Sequence, residues 1–402
     1  MSRFLFVVPP FVGHINPAAA VAAELTRRGH RVAWAGLPGL VEELAGPDAD
    51  IHPCEVPRDL RRPPELRGAA ALRYLWQDFL APLAMAMAPG VERAAAAFRP
   101  DVIVADQQAL SGALTAERLG IPYATSATTS AEFSGALAGM PKVDEWIHGL
   151  LAGLRAELGD PARTHDPRFS PDLVLAFTTT ALTGESAAPP QTRFVGPALA
   201  RRPDTTPFPW EWLDPARHTV LVSLGTANTD LGGRFLTECA AAVRERSPHL
   251  QAVIADLGGV LEGTWDDTVL AVRRMPQLAL LRRASAVVCH AGHNTVAESL
   301  LHGVPLVVAP IRDDQPVIAA QLTTAGAGIR VRFGRGDRHA IGAALDAVLT
   351  APEYRAAARR VQESFRAAGG AAAAATHLEE VATPIEENEE VAPTGQGEPG
   401  RS

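Results

Sequence analysis

The chain has 402 residues, long enough for two α/β domains, and with only 5% aromatic residues its interior must be filled mostly by Leu, Val and Ala. A formal net charge of -8 excludes the broad positive field of a nucleic-acid binder, and no polybasic face supports attraction to a membrane surface. No run reaches the ~18 apolar residues of a membrane span, the proline-broken opening does not read as a signal peptide, and Cys54, Cys239 and Cys289 are too scattered for a disulfide framework or zinc motif, so a cytoplasmic protein is expected.

Phe4–Val8 reads as a strand, followed by a Pro/Gly loop and a helix over Pro17–Arg28. Gly29-His30 ends that helix, and Arg31–Ala35 starts another strand. Strand, loop, helix and strand within about 30 residues form the βαβ unit of a parallel sheet. The pattern returns at Asp101–Ala105, with a helical run through Leu119, and a further strand spans Leu173–Phe177. Arg193–Pro197 closes the first unit, and the Pro-rich residues 197–214 suit an interdomain connection. A second series begins with Thr219–Leu224, broken by Gly225, and continues with strands at Gln251–Ala255, Ala286–Cys289 and Val304–Ala309. Helices fit near 231–244, 295–302 and 316–325, and a last helix lies within 351–380. Beyond it, an acidic, Gly/Pro-rich end has the composition of a disordered tail. The expected division is thus a first Rossmann-like domain over 1–200, a linker over 201–214, a second over 215–380 with the C-terminal helix, and a tail over 381–402.

The segment His290-Ala291-Gly292-His293-Asn294-Thr295-Val296-Ala297-Glu298 is the most informative. An apolar strand feeds a small-residue loop, and a helix opens near Thr295, where unpaired amides favour a phosphate or diphosphate. Gly292 lets backbone approach closely, Asn294 and Thr295 add uncharged donors, and His290 can donate to a leaving diphosphate. An N-cap and a tight turn account for these residues equally well. Downstream, Arg312-Asp313-Asp314-Gln315-Pro316 follows another strand, at the sheet edge where open parallel sheets bind ligands. Asp314 and Gln315 suit sugar hydroxyls, although two capping residues before a Pro at the first helical position read similarly.

The stretch from His290 to Gln315 resembles the nucleotide-sugar motif of the UDP-glycosyltransferase superfamily, in the pattern of bacterial macrolide and other natural-product glycosyltransferases. Asn294-Thr295-Val296, Gly303-Val304-Pro305 and Asp314-Gln315-Pro316 also resemble carotenoid glucosyltransferases. The resemblance implies a GT-B fold, two Rossmann-like parallel-sheet domains facing across a cleft. It implies that His290 contacts the diphosphate, that Asn294 and Thr295 bind phosphate oxygens, and that Glu298 accepts from ribose hydroxyls while Asp314 and Gln315 hold the sugar. Ser223-Leu224-Gly225-Thr226 resembles the second phosphate-side loop, for which an ordinary strand-to-helix turn is the alternative. Pro276-Gln277 keeps the family's base-side pair, but Arg274 stands where Trp is frequent. Arg can stack on a base, and this departure leaves base identity open. Glu298 favours a ribose, hence UDP, with dTDP as the other possibility.

On the acceptor side, Pro10-Phe11-Val12-Gly13-His14-Ile15-Asn16-Pro17 links the first strand to its helix without the glycine spacing of a dinucleotide fingerprint. His14 is brought to the C-terminal edge of the first sheet, with a capping or structural role as the alternative. The resemblance implies that His14 is a general base and Asp106 its partner carboxylate; a helix cap is the other reading of Asp106. The chemistry implied is inverting displacement on a hexose, with no required metal and no cofactor, since the nucleotide sugar is a co-substrate. Residues 58–90 and 126–155 supply Tyr74, Trp76, Phe79, Met85, Met87, Phe133, Met140 and Trp146. Helix packing is the commoner fate of each, but together they fit a lipophilic acceptor. A nucleotide-sugar epimerase of the same architecture and a non-catalytic partner protein are the competing readings; the expected assembly is a monomer or homodimer.

Overall fold

The computed structural model describes residues 1–57, 63, 66, 68–133, 135, 139–184, 187–199, 206–225, 232–261 and 265–383. Thr226, part of the linker and nearly all of the acidic tail lie outside the described residues. Two wholly parallel sheets organise the chain. The first contains β1 (Arg3–Val7), β2 (Arg31–Gly36), β3 (Asp50–Pro53), β4 (Val102–Asp106), β5 (Tyr123–Ala127), β6 (Leu173–Ala176) and β7 (Thr192–Phe194), in the order β3-β2-β1-β4-β5-β6-β7. The second contains β8 (His218–Ser223), β9 (Leu250–Ala255), β10 (Val269–Val272), β11 (Ala284–Cys289), β12 (Leu306–Val308) and β13 (Gly328–Arg330), in the order β10-β9-β8-β11-β12-β13. This is the expected two-sheet GT-B architecture.

Parallel strands covered on both faces must be apolar throughout. β1 accordingly sends Leu5 and Val7 into one cluster with Leu83, Met87 and Ile103, and Phe4 and Phe6 into another with Ile15 and Leu25. In the second half Val220 and Val222 face one cluster and Leu221 the other. The strand order decides where the sites lie. The order in which strands are added reverses between β1 and β4 in one sheet and between β8 and β11 in the other, and ligands of open α/β sheets bind at such switch points.

The helix expected from Pro17 begins at Val12, so His14 sits in its first turn and Pro17 inside it. Proline lacks the N–H that would bond the carbonyl four residues back, and that carbonyl is Gly13's. Chain order assigns the C-terminal helix Gly370–Ala382 to the second half, but it packs on the first. Ala374, Ala375 and Leu378 join the cluster of Phe4 and Phe6. Glu379 accepts from Arg28 Nη1 at 2.7 Å and faces His30 Nε2 at 2.8 Å. Conversely, the short helix Thr180–Thr183 inserts Leu182 into the second half's core. Because Leu378 is fully buried there, Leu378→Ala is expected to cost about 3 kcal/mol. Hydrogen exchange should accelerate first in β1 and the helix Val12–Arg27; acceleration confined to β8–β13 would contradict this packing.

Among the described residues, no helix is long and apolar enough to cross a membrane. All three cysteines are buried and unpaired, with Cys289 in the apolar core.

Candidate functional site

The two switch points face each other. From the first half, β4 ends on Asp106, which lies beside the imidazole of His14. His14 Nδ1 is 2.9 Å from Asp106 Oδ1 and 3.0 Å from Oδ2. The carboxylate is buried and also accepts the Gln108 N–H at 2.9 Å. Burial alone would lower the His14 pKa; the charge and hydrogen bond of Asp106, with the charge of Asp314, outweigh it and hold the imidazole above its ordinary value. Thr128, which sequence reading did not single out, places its hydroxyl 2.7 Å from His14 Nδ1 and donates to Asp106 Oδ2 at 3.0 Å. No local pattern marks Thr128, because 114 residues separate it from His14.

From the second half, β11 runs into His290, and the helix His293–Leu301 starts two residues earlier than expected. Its N-cap, Gly292, has no capping side chain, so the first-turn amides keep their capacity for an anion. His290 is held between two glycines. A Cβ on Gly292 would lie 2.4 Å from His290 Nε2, and one on Gly225 would lie 2.8 Å from His290 Cε1. Burial, followed by the charge of Arg312, outweighs a backbone hydrogen bond at Ser223 and pushes the His290 pKa down to about 4. The ring is therefore a neutral donor near neutral pH. Between His290 and Gly292, Ala291 adopts φ 65°, a left-handed conformation unusual for a residue with a side chain. Ser223 lies at the end of β8, and its Oγ accepts the Gly225 N–H at 3.4 Å.

Several residues expected to face the donor make other contacts. Asn294 Nδ2 donates to the Gly13 carbonyl at 2.8 Å, filling the place that Pro17 leaves empty. Neighbouring His293, held neutral by burial, contacts the Phe177 carbonyl through Nε2 at 3.2 Å. Asp314 accepts from Thr129 Oγ1 at 2.6 Å, and burial raises its pKa. Gln315 turns Oε1 back onto the Ile311 and Arg312 N–H groups, at 2.9 and 3.1 Å, bracing its own loop. Thr295 is buried in the first turn of its helix. Glu298 accepts from Gln277 Nε2 at 2.6 Å, so two of the base- and ribose-side candidates do meet. Pro276 caps the helix that Gln277 opens. Arg274 stands apart with its side chain 81% exposed, 3.7 Å from Glu43 of the first half.

A cavity of about 20 Å³ lies between the halves, lined by Asn16, Pro17, Phe177, Leu278, Asn294 and Glu298. The Asn294–Gly13 hydrogen bond runs along this cavity and ties the two halves together beside it. Of the suggested acceptor-side residues, Trp76, Phe79, Met87 and Phe133 are buried in the core, whereas Met85 and Met140 are exposed. Among the described residues, no three His, Cys, Asp or Glu side chains converge as metal ligands.

Comparison with known proteins accords with this geometry. Residues 190–364 match the UDP-glucoronosyl and UDP-glucosyl transferase family, and residues 12–135 match the glycosyltransferase family 28 N-terminal domain. The elloramycin glycosyltransferase ElmGT of Streptomyces olivaceus is 30% identical, over 94% of this chain and 96% of that protein. The glycotransferase of kitacinnamycin superposes with a TM-score of 0.80 at 25% identity, covering 94% of this chain and 98% of that one. The spinosyn rhamnosyltransferase SpnG, solved with thymidine diphosphate, gives a TM-score of 0.75 at 25% identity, covering 94% of this chain and 100% of that one.

Proposed function

The chain belongs to the UDP-glycosyltransferase family, among bacterial natural-product glycosyltransferases that invert the anomeric centre without a metal, and from that premise we propose that it moves a hexose from UDP onto a hydroxyl of a lipophilic aglycone. It is a nucleotide-sugar-dependent glycosyltransferase acting on natural-product aglycones. The finer reading is carried by one observation: an imidazole paired with a buried carboxylate at one switch point faces a glycine-cradled histidine and a helix start at the other.

In this reading the acceptor oxygen attacks the anomeric carbon while its proton passes to His14 Nε2. The bond to the diphosphate breaks on the opposite face, and its electron pair leaves with the nucleotide, so an α-linked donor gives a β-glycoside. Asp106 orients the ring and stabilises the imidazolium without taking the proton. His290, Ser223, Thr295 and the first-turn amides near Gly292 and Asn294 receive the charge that grows on the diphosphate. Gly225 keeps room for His290, and Thr226, next in sequence, is assigned to the same phosphate side by the family resemblance. Asp314 and Gln315 hold the hexose, with Arg274, Pro276 and Gln277 on the base side. Glu298 accepts from ribose hydroxyls, which favours UDP; a deoxyribose offers only one of the two, so dTDP is the competing donor. The first half, residues 1–200 with the helix Gly370–Ala382 packed on it, takes the acceptor, and the second half from residue 215 takes the donor, joined by 201–214. A cytoplasmic location accords with three unpaired, buried cysteines.

Purified protein incubated with UDP-glucose, a dTDP-sugar and a set of lipophilic aglycones should yield a hexose adduct by mass spectrometry, most strongly with the UDP donor. Turnover with the dTDP-sugar alone would reverse the donor assignment.

A further inference from the structure

Thr128 leaves β5 as a buried residue, and its hydroxyl lies between the two groups of the imidazole–carboxylate pair. A threonine has a single hydroxyl proton. Here it goes to Asp106 Oδ2 at 3.0 Å, so the oxygen's lone pair is turned toward His14 Nδ1 at 2.7 Å. The Gln108 N–H, 2.9 Å from Asp106 Oδ1, is a second fixed donor to the same carboxylate. Asp106 accepts a bond at each oxygen, and its oxygens stand almost equally distant from Nδ1, at 2.9 and 3.0 Å. Nδ1 thus faces three acceptors. Only a ring protonated at Nδ1 satisfies them, and that tautomer leaves the Nε2 lone pair for an incoming proton. The opposite tautomer would set a nitrogen lone pair against a carboxylate.

The next residue extends the arrangement across the cleft. Thr129 donates to Asp314 Oδ2 at 2.6 Å. Consecutive hydroxyls of one buried segment therefore grip the His14–Asp106 pair of the first half and a carboxylate of the second. Valine would fill the same volume as either threonine, so the hydroxyls matter for their bonds and not for packing.

We propose that Thr128 is a positioning residue for glycosyl transfer, whose hydroxyl clamps Asp106, holds His14 in the Nδ1–H tautomer and, through Thr129, keeps that base in register with Asp314. The proposal rests on the reading of His14 as the base. When the acceptor proton reaches Nε2 the ring carries both protons, and Thr128 Oγ1 shares the Nδ1–H bond with Asp106.

Thr128→Val, Thr128→Ser and His14→Ala should be compared in the full-length enzyme with a saturating donor. Thr128→Val is expected to lower kcat about 10-fold with the donor KM unchanged. Spectra of [15N]histidine-labelled protein should show His14 moving toward the Nε2–H tautomer. Thr128→Ser should restore most of the rate and the original tautomer. An unchanged kcat and tautomer in Thr128→Val, alongside an inactive His14→Ala, would overturn this proposal alone. Equal losses in the Ser and Val variants would also overturn it, because the methyl group and not the hydroxyl would then matter. Full activity in His14→Ala would instead remove the base assignment beneath it.

Discussion

His14→Ala is expected to lower kcat/KM about 1000-fold while leaving donor affinity within a factor of about two, because general-base catalysis by a positioned imidazole typically contributes 10²–10⁴-fold. The acceptor hydroxyl is a poor nucleophile until its proton is removed, and His14 is the imidazole paired to a buried carboxylate at the first switch point. The pH profile provides a second check. A base must be unprotonated to act, so kcat/KM of the wild-type enzyme should rise with pH through a value above that of an ordinary imidazole. Burial would place that limb lower, but the charge and hydrogen bond of Asp106 raise it. His290 does not produce this limb, because it stays neutral down to about 4. In His14→Ala the limb should disappear. A residual enzyme with the same limb and near-normal rate would locate the base elsewhere.

Gly292→Ala is expected to weaken binding of UDP or dTDP about 100-fold, roughly 3 kcal/mol, and to lower Tm by a few degrees, since overpacking costs about 1–3 kcal/mol. Its Cβ would lie 2.4 Å from His290 Nε2, closer than any real contact allows. The ring has no retreat toward the β8 loop, since the space there exists only because Gly225 also lacks a side chain. Displacing His290 disturbs the helix start that is proposed to receive the diphosphate. Gly149→Ala is the matching control, because a Cβ there meets nothing within 4 Å. Calorimetric titration with each nucleotide measures the effect. An unchanged affinity in Gly292→Ala would detach the glycine-cradled histidine from the diphosphate site.

The helix Val12–Arg27 shows how a sound local rule misplaced a boundary. Proline at the first helical position is common, which makes Pro17 the expected start. The helix instead begins at Val12, and the carbonyl that Pro17 leaves without a donor is satisfied by Asn294, 281 residues away. A similar limit applies to the strands. β5, Tyr-Ala-Thr-Ser-Ala, is wholly buried yet lacks the branched aliphatic run that announces its neighbours, and β13 has only three residues.

Composition, apolar runs and turn residues by themselves determined that two βαβ series exist and that His14, Asp106, Ser223 and His290 each follow or end a strand. These are local properties, written within the few residues that form one strand, loop or helix. Only the tertiary structure decided that β1 lies beside β4 and β8 beside β11, which turns four separate strand ends into two facing sites. It alone brought Thr128 to His14, Gln277 to Glu298 and the helix Gly370–Ala382 onto the first sheet. The reason is physical: hydrophobic periodicity specifies which face of an element is buried, but not which distant element will bury it.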